Sequence, residues 1–129
     1  MMNVPTDLRY SKEHEWVRAD DGVGTIGITD YAQDQLGDIV YLDLPAVGAT
    51  VAQYEKMGEI ESVKAVSDLF SPVSGEVIEV NQDAVDQPEL VNNEPYKRGW
   101  LLKVRLSDPS QVDGLLTSEA YQELIAAAE

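Results

Sequence analysis

A mainly β chain, closed as a sandwich or a barrel, is what this sequence predicts, and three observations predict it. Short runs rich in Val, Ile, Tyr and Trp recur along the chain. Glycine and proline punctuate them at close intervals, which argues against the long crossovers of a parallel α/β sheet. A helical period of apolar residues shows clearly only near the C-terminus.

Taken in order, an extended lead through Leu8-Arg9-Tyr10 comes before a strand at Glu15-Trp16-Val17-Arg18. Asp20-Asp21-Gly22 then turns the chain into a second strand at 23–28, because Asp-Gly accepts the positive φ that two-residue hairpin turns require. Asp30 is expected to cap a short helix, with Gln33 three residues on and Gly37 as its terminator. Ile39-Val40-Tyr41-Leu42-Asp43-Leu44 reads as a strand stopped by Pro45, since proline donates no ladder hydrogen bond. Gly48 and Gly58 permit the bends that follow. Two further runs, 57–63 and 66–70, form a hairpin with Lys64 at its tip. In Glu76-Val77-Ile78-Glu79-Val80, simple alternation puts Glu76, Ile78 and Val80 on one face and Val77 and Glu79 on the other.

The stretch 82–98, with Pro88 and Pro95, reads as a packed surface loop with one helical turn near Glu89-Leu90-Val91. Strand alternation resumes at 100–106, with Trp100, Leu102, Val104 and Leu106 inward and Lys103 and Arg105 outward. Asp108-Pro109 opens a short helix bearing Val112, Leu115 and Leu116. A last helix from about Glu119 sets Tyr121, Leu124, Ile125 and Ala128 on one face, which should pack against the sheets. No linker composition interrupts the chain, so residues 1–129 are expected to form one domain.

Composition narrows the function. The formal net charge is −15, from 24 acidic and 9 basic residues, a field that repels phosphate backbones and anionic membrane surfaces. Nucleic acid and membrane are therefore not expected partners, whereas basic protein surfaces are. The absence of cysteine removes disulfides, thiolate metal sites and a cysteine nucleophile together. The sole histidine, His14, has no second histidine to form a metal pair and reads as a packed or capping residue, so neither a metal nor a catalytic residue is expected. The N-terminus shows neither a signal-peptide nor a transit-peptide pattern, and no run is long and apolar enough to span a bilayer. A cytoplasmic monomer is the expectation.

Lys64 is the residue the chain singles out. Most lysines only solvate a surface. This one is the only basic residue between Lys56 and Lys97, lies among small and apolar neighbours, and has Glu59, Glu61 and Asp68 close in sequence. One long amine on a stiff ribbon suits an attachment point better than an ion pair.

The run Glu61-Ser62-Val63-Lys64-Ala65, followed by Ser67-Asp68, resembles the lipoylation site of the glycine cleavage H-protein family. Further stretches resemble that family in order: Lys12-Glu13-His14-Glu15-Trp16, Gly27-Ile28-Thr29-Asp30, Ala32-Gln33, Leu36-Gly37-Asp38, Leu42-Asp43-Leu44-Pro45, Ser71-Pro72-Val73-Ser74-Gly75-Glu76, Val91-Asn92 and Gly99-Trp100. The resemblance implies a barrel-sandwich hybrid of two antiparallel sheets, with a short helix in the N-terminal half and helices at the C-terminal end. It implies lipoic acid joined by an amide to Lys64, in the context of Glu61, Ser62, Val63, Ala65, Ser67 and Asp68. It implies a carrier rather than an enzyme. The aminomethyl group left by a pyridoxal-phosphate glycine decarboxylase (P protein) would pass to a folate-dependent aminomethyltransferase (T protein), and a flavin-dependent dihydrolipoamide dehydrogenase (L protein) would reoxidise the dithiol. A lipoate-attaching enzyme would be a fourth partner.

For the loaded, cationic arm the resemblance suggests a cleft formed by Glu15 and Asp68 with His14 near. Biotin carriers usually place methionines beside the lysine, and lipoyl domains of 2-oxoacid dehydrogenases an aspartate before it; here the neighbours are Val63 and Ala65. The chain departs from the family at Tyr31, where histidine is common, and at Val66, where a small residue is usual. The competing function is a lipoyl relay in lipoate assembly or another lipoyl-dependent pathway, and a third possibility is an unmodified β module used only for protein contacts.

Overall fold

The computed structural model describes residues 3–128; Met1, Met2 and Glu129, and with them the start of the N-terminal reading, lie outside it. Nine strands and five short helices are present among the described residues. In one sheet, antiparallel throughout, the order is β1 (Arg9–Tyr10), β2 (Glu15–Asp20), β3 (Val23–Ile28), β9 (Leu102–Leu106), β8 (Gly75–Val80) and β5 (Thr50–Val51). The other sheet is β4 (Ile39–Asp43), β6 (Lys56–Ser62) and β7 (Val66–Phe70), also antiparallel. Two antiparallel sheets with short helices at the margins are the expected barrel-sandwich hybrid.

Alternation along β2 explains the layering. Val17 joins a core with Ile26, Leu42, Ile60, Val77 and Val104, drawn from both sheets. Trp16, its neighbour, points the other way into a second cluster with Leu8, Tyr10, Tyr96, Tyr121 and Ile125. Each large apolar side chain so buried contributes about 1.5–3 kcal/mol. The second cluster seats α5 (Ser118–Ala128) on the sheet through Tyr121 and Ile125, as its period predicts, while Ala128 at its end stays exposed. Tyr10 stacks on Tyr121 with centroids 4.7 Å apart. No helix among the described residues is long and apolar enough to cross a membrane.

The Asp21-Gly22 turn has φ of 50° and 77° at its two central residues, the positive pair that a tight hairpin needs. Asp20 and Val23 close it as a register pair. The ends of α1 (Asp30–Leu36) differ from the expected cap. Thr29 takes the capping place, its hydroxyl accepting from Ala32 N at 3.1 Å. Asp30 instead accepts from Gln33 Nε2 at 2.8 Å and from Asn3 N at 3.0 Å. Gly37 does end the helix, its N–H donating to Gln33 O at 2.9 Å.

Other expectations are corrected too. In β8 the ladder slips between Val77 and Glu79, so Ile78 is a bulge residue and the alternation changes phase. Val77 is therefore in the core, while Glu76 and Glu79 both face solvent opposite Arg105 and Lys103. At the other end of the sheet, β9 begins at Leu102 and not at Trp100. Leu101 is fully buried and donates to Ile26 O, and Trp100 lies half-exposed with the Lys103 amine 5.2 Å from its ring. Finally, 82–98 holds two short helices, α2 (Gln82–Asp86) and α3 (Glu89–Asn93), because Ala84, Leu90 and Val91 supply buried residues to both. The helix expected after Asp108 is α4 (Ser110–Asp113), with the Asp108 carboxylate accepting from Ser110 N at 3.1 Å, but it stops short of Leu115 and Leu116, because Leu116 pairs as an antiparallel bridge with Tyr10.

Candidate functional site

The ribbon of β6 and β7 pairs from Lys56↔Phe70 to Glu61↔Val66 and is closed by Ser62, Val63, Lys64 and Ala65. None of these four has a positive φ, so no glycine is needed. Ser62 provides the closure. Its N–H donates to Ala65 O at 2.8 Å, while its buried hydroxyl accepts from the N–H groups of Ala65 at 3.2 Å and Lys64 at 3.3 Å. A serine hydroxyl satisfying local backbone donors is a common way to fix a turn. Val63, Lys64 and Ala65 remain exposed on it.

The turn is also held from outside the ribbon. Val63 N donates to Asp38 O at 3.0 Å, which docks the tip onto the link between α1 and β4. The stem of Lys64 lies over Gly37, whose missing Cβ would stand 3.4 Å from Lys64 Cε. Gly37 has φ 82° and ψ −158°, a backbone region essentially confined to glycine. The Lys64 amine enters no ion pair or side-chain hydrogen bond among the described residues.

Lys56, the other lysine of the ribbon, is differently placed. Its amine contacts Glu59 at 2.7 Å and Asp68 at 3.3 Å, and their hydrogen bonds hold it protonated, its pKa raised. Asp68 thus faces outward in a row with Glu59 and Asp43, and Glu61 occupies the next row between Tyr41 and Val66. Ser67 is half-buried and makes only a long contact, 3.5 Å, to Asp68 O.

Glu15 lies elsewhere and is buried, 2% exposed. One carboxylate oxygen accepts from Ser11 Oγ at 2.5 Å, and the other accepts from Phe70 N at 3.2 Å, tying β2 to the end of β7. Burial pushes its pKa up to about 8, against the opposing pull of the Ser11 and Phe70 hydrogen bonds. Burial thus biases Glu15 toward its neutral form. His14 takes φ 70° and places Nδ1 2.8 Å from Tyr121 Oη, which also bonds Thr29 Oγ1 at 2.7 Å. Burial lowers the His14 pKa, and Glu13 opposes that shift. Tyr31 lies against the imidazole with centroids 5.0 Å apart.

Glu15, Asp68 and His14 are thus not joined to one another by any hydrogen bond or ion pair among the described residues. What connects Glu15 to the ribbon is the Phe70 amide, two residues beyond Asp68. A cleft of about 350 Å³ opens at this end, lined by Ser11, Glu13, Tyr54, Phe70 and Leu115 among others. Sequence reading missed this cleft, since its walls come from four separated segments. It also gave Ser62 no role beyond context, although a serine two positions before a turn-tip lysine is a turn signal in its own right.

A model of the glycine cleavage H-protein family matches residues 8–128. The chain is 54% identical over 125 residues to a glycine cleavage system H protein of Alcanivorax borkumensis, covering 97% of this chain and 98% of that one. It is 53% identical over 130 residues to a glycine cleavage system H protein of Marinobacter nauticus, with all of both chains covered. The fold is similar to the crystal structure of a glycine cleavage system H protein from Mycobacterium marinum, with a TM-score of 0.89 at 41% identity, covering 95% of this chain and 99% of that one.

Proposed function

The chain belongs to the glycine cleavage H-protein family, whose role is that of lipoyl carrier in glycine cleavage, and from that premise we propose that Lys64 is the residue carrying the lipoyl group. The observation that carries this assignment is the contrast between the two lysines of the ribbon. An amine must lose a proton before it can attack an acyl carbon. The Lys56 amine is engaged by two carboxylates on the sheet face, whereas Lys64 stands exposed at the tip with no such partner among the described residues.

In the attachment step the Lys64 amine attacks the carboxyl carbon of a lipoyl adenylate, forms the amide C–N bond, loses a proton and displaces adenylate. Once bound, the group supplies a redox-active disulfide on a long arm, able to take up a one-carbon unit and to be reoxidised. The protein's own residues do the rest. Ser62 holds the turn, the ribbon carries it, and exposure of 63–65 leaves room for an enzyme to close over the amine. Tethering raises the effective concentration of the arm at each site that it visits.

The same reading makes the protein a non-catalytic carrier, one unit over 1–129, shared as a substrate by the glycine decarboxylase, the aminomethyltransferase and dihydrolipoamide dehydrogenase. Glu15 is its proposed acid for the loaded arm. A cation brought to this buried carboxyl would draw its proton off and convert a neutral acid into a paired anion. Asp68 and His14 complete the proposed cleft when the arm is present. The test is reconstitution with glycine decarboxylase, using protein lipoylated by a purified ligase. Wild type should support glycine decarboxylation, and Lys64→Arg should support none while keeping its fold. Undiminished activity in Lys64→Arg would overturn the assignment.

A further inference from the structure

The link between α1 and β4 is two residues long, Gly37 and Asp38, and it is the surface on which the lysine turn rests. Such a link has few internal hydrogen bonds to fix it. The structure fixes it from a distance in sequence, through Asn92 on α3. Asn92 Nδ2 donates to Gly37 O at 2.9 Å and to Gln33 Oε1 at 3.0 Å. Its Oδ1 accepts from Ile39 N at 2.9 Å. One half-buried amide therefore grips the last turn of α1, the link and the first residue of β4 together.

We propose that Asn92 is a positioning residue for modification of Lys64: it holds Gly37 and Asp38 as a seat, and the seat sets where the lysine stem leaves the protein. The chain of contacts is continuous. Asn92 holds the Gly37 carbonyl, the Asp38 carbonyl receives Val63 N, and the Lys64 stem crosses Gly37. Ser62 closes the turn internally and pairs with Ile39 at the start of β4, so the place of the tip depends on how that start is held, and Asn92 accepts from Ile39 N. Asn92 supplies the orientation. Its role concerns an enzyme that must find the amine at one place and angle, where a misplacement of about 1 Å can cost up to roughly a hundredfold in rate.

The inference rests on Lys64 being the lipoylated residue, and the experiment separates the two. Full-length wild type, Asn92→Ala and Asn92→Asp are lipoylated by a purified lipoate ligase, and the same proteins are acetylated at Lys64 by a small N-hydroxysuccinimide ester. Asn92→Asp keeps the acceptor for Ile39 N and turns the donors to Gly37 and Gln33 into a carboxylate oxygen that both partners repel, so it loosens the seat with the side-chain volume kept and serves if the alanine variant does not fold. Both variants should lose about tenfold or more in kcat/KM for enzymatic lipoylation. Acetylation by the small ester, which reads no orientation, should stay within about twofold in rate, the order of a minor change in exposure. Hydrogen exchange at the Val63 amide should accelerate while amides in the middle of β6 stay protected. Equal kcat/KM in wild type and both variants would overturn the role of Asn92, as would a parallel loss in the ester reaction or in protection along β6. Failure of wild type to be lipoylated at Lys64 would instead overturn the assignment of the lysine.

Discussion

A buried carboxyl with a pKa near 8 binds its proton more tightly in the folded protein than in the unfolded chain. For Glu15 the ordinary value is 4.5 and the folded value about 8, with desolvation as the main cause. Stability associated with this proton is fully present below about pH 4.5 and is lost as the pH rises through 8. Replacing Glu15 by Gln removes the titration while keeping an acceptor for Phe70 N. Thermal unfolding between pH 5 and 8 is expected to show a steeper fall in Tm for wild type than for Glu15→Gln, and equal slopes would contradict the burial argument. The sequence made Glu15 visible as a candidate through resemblance, but its charge state was not legible. That state follows from burial, which is built by segments as far apart as Phe70, 55 residues away, and which outweighs the opposing hydrogen bonds from Ser11 and Phe70. The exposed turn at Lys64 was legible because its closure by Ser62 is a short-range property of its own hairpin.

At the scale of elements, period and punctuation placed most strands, and they failed where a tertiary contact intervened. The Ile78 bulge is one case: alternation assumes two residues per repeat, and an inserted residue resets it without any signature in composition. The α1 cap is another, since Thr29 and Asp30 are both competent caps and Asn3 N and Gln33 decide between them by occupying Asp30. Gly27 shows an element held by a missing side chain. A Cβ there would stand 2.6 Å from the Trp16 indole, whose N–H donates to Pro95 O at 3.0 Å. Gly27→Ala must therefore displace Trp16 from the cluster under α5, and it should cost about 2–4 kcal/mol, in the range of overpacked or broken cores. Urea unfolding monitored by Trp fluorescence measures this; a loss below about 0.5 kcal/mol, the size of a neutral surface change, would show that the indole moves freely.

The whole molecule carries a net charge of −15, and the outer face of the three-stranded sheet sets Asp43, Glu59 and Asp68 side by side with only Lys56 among them. Like charges directly opposite on neighbouring strands destabilise a sheet, and a basic partner surface offsets that repulsion on contact. The apparent KM of the aminomethyltransferase for the lipoylated protein is accordingly expected to rise several-fold between 0.05 and 0.5 M salt, as screening shortens the reach of these charges. A KM independent of salt would remove electrostatic docking from the account. The charge was plain from composition, whereas its placement on the sheet that carries the Lys64 turn needed the register. Beneath all of this lies a single assignment, and peptide mapping by mass spectrometry of protein from a lipoylation-competent host tests it most directly. A mass increase of one lipoyl group on the peptide containing Lys64, absent from the Lys64→Arg protein, is the predicted result; an unmodified Lys64, or the same increase on Lys56, would contradict it.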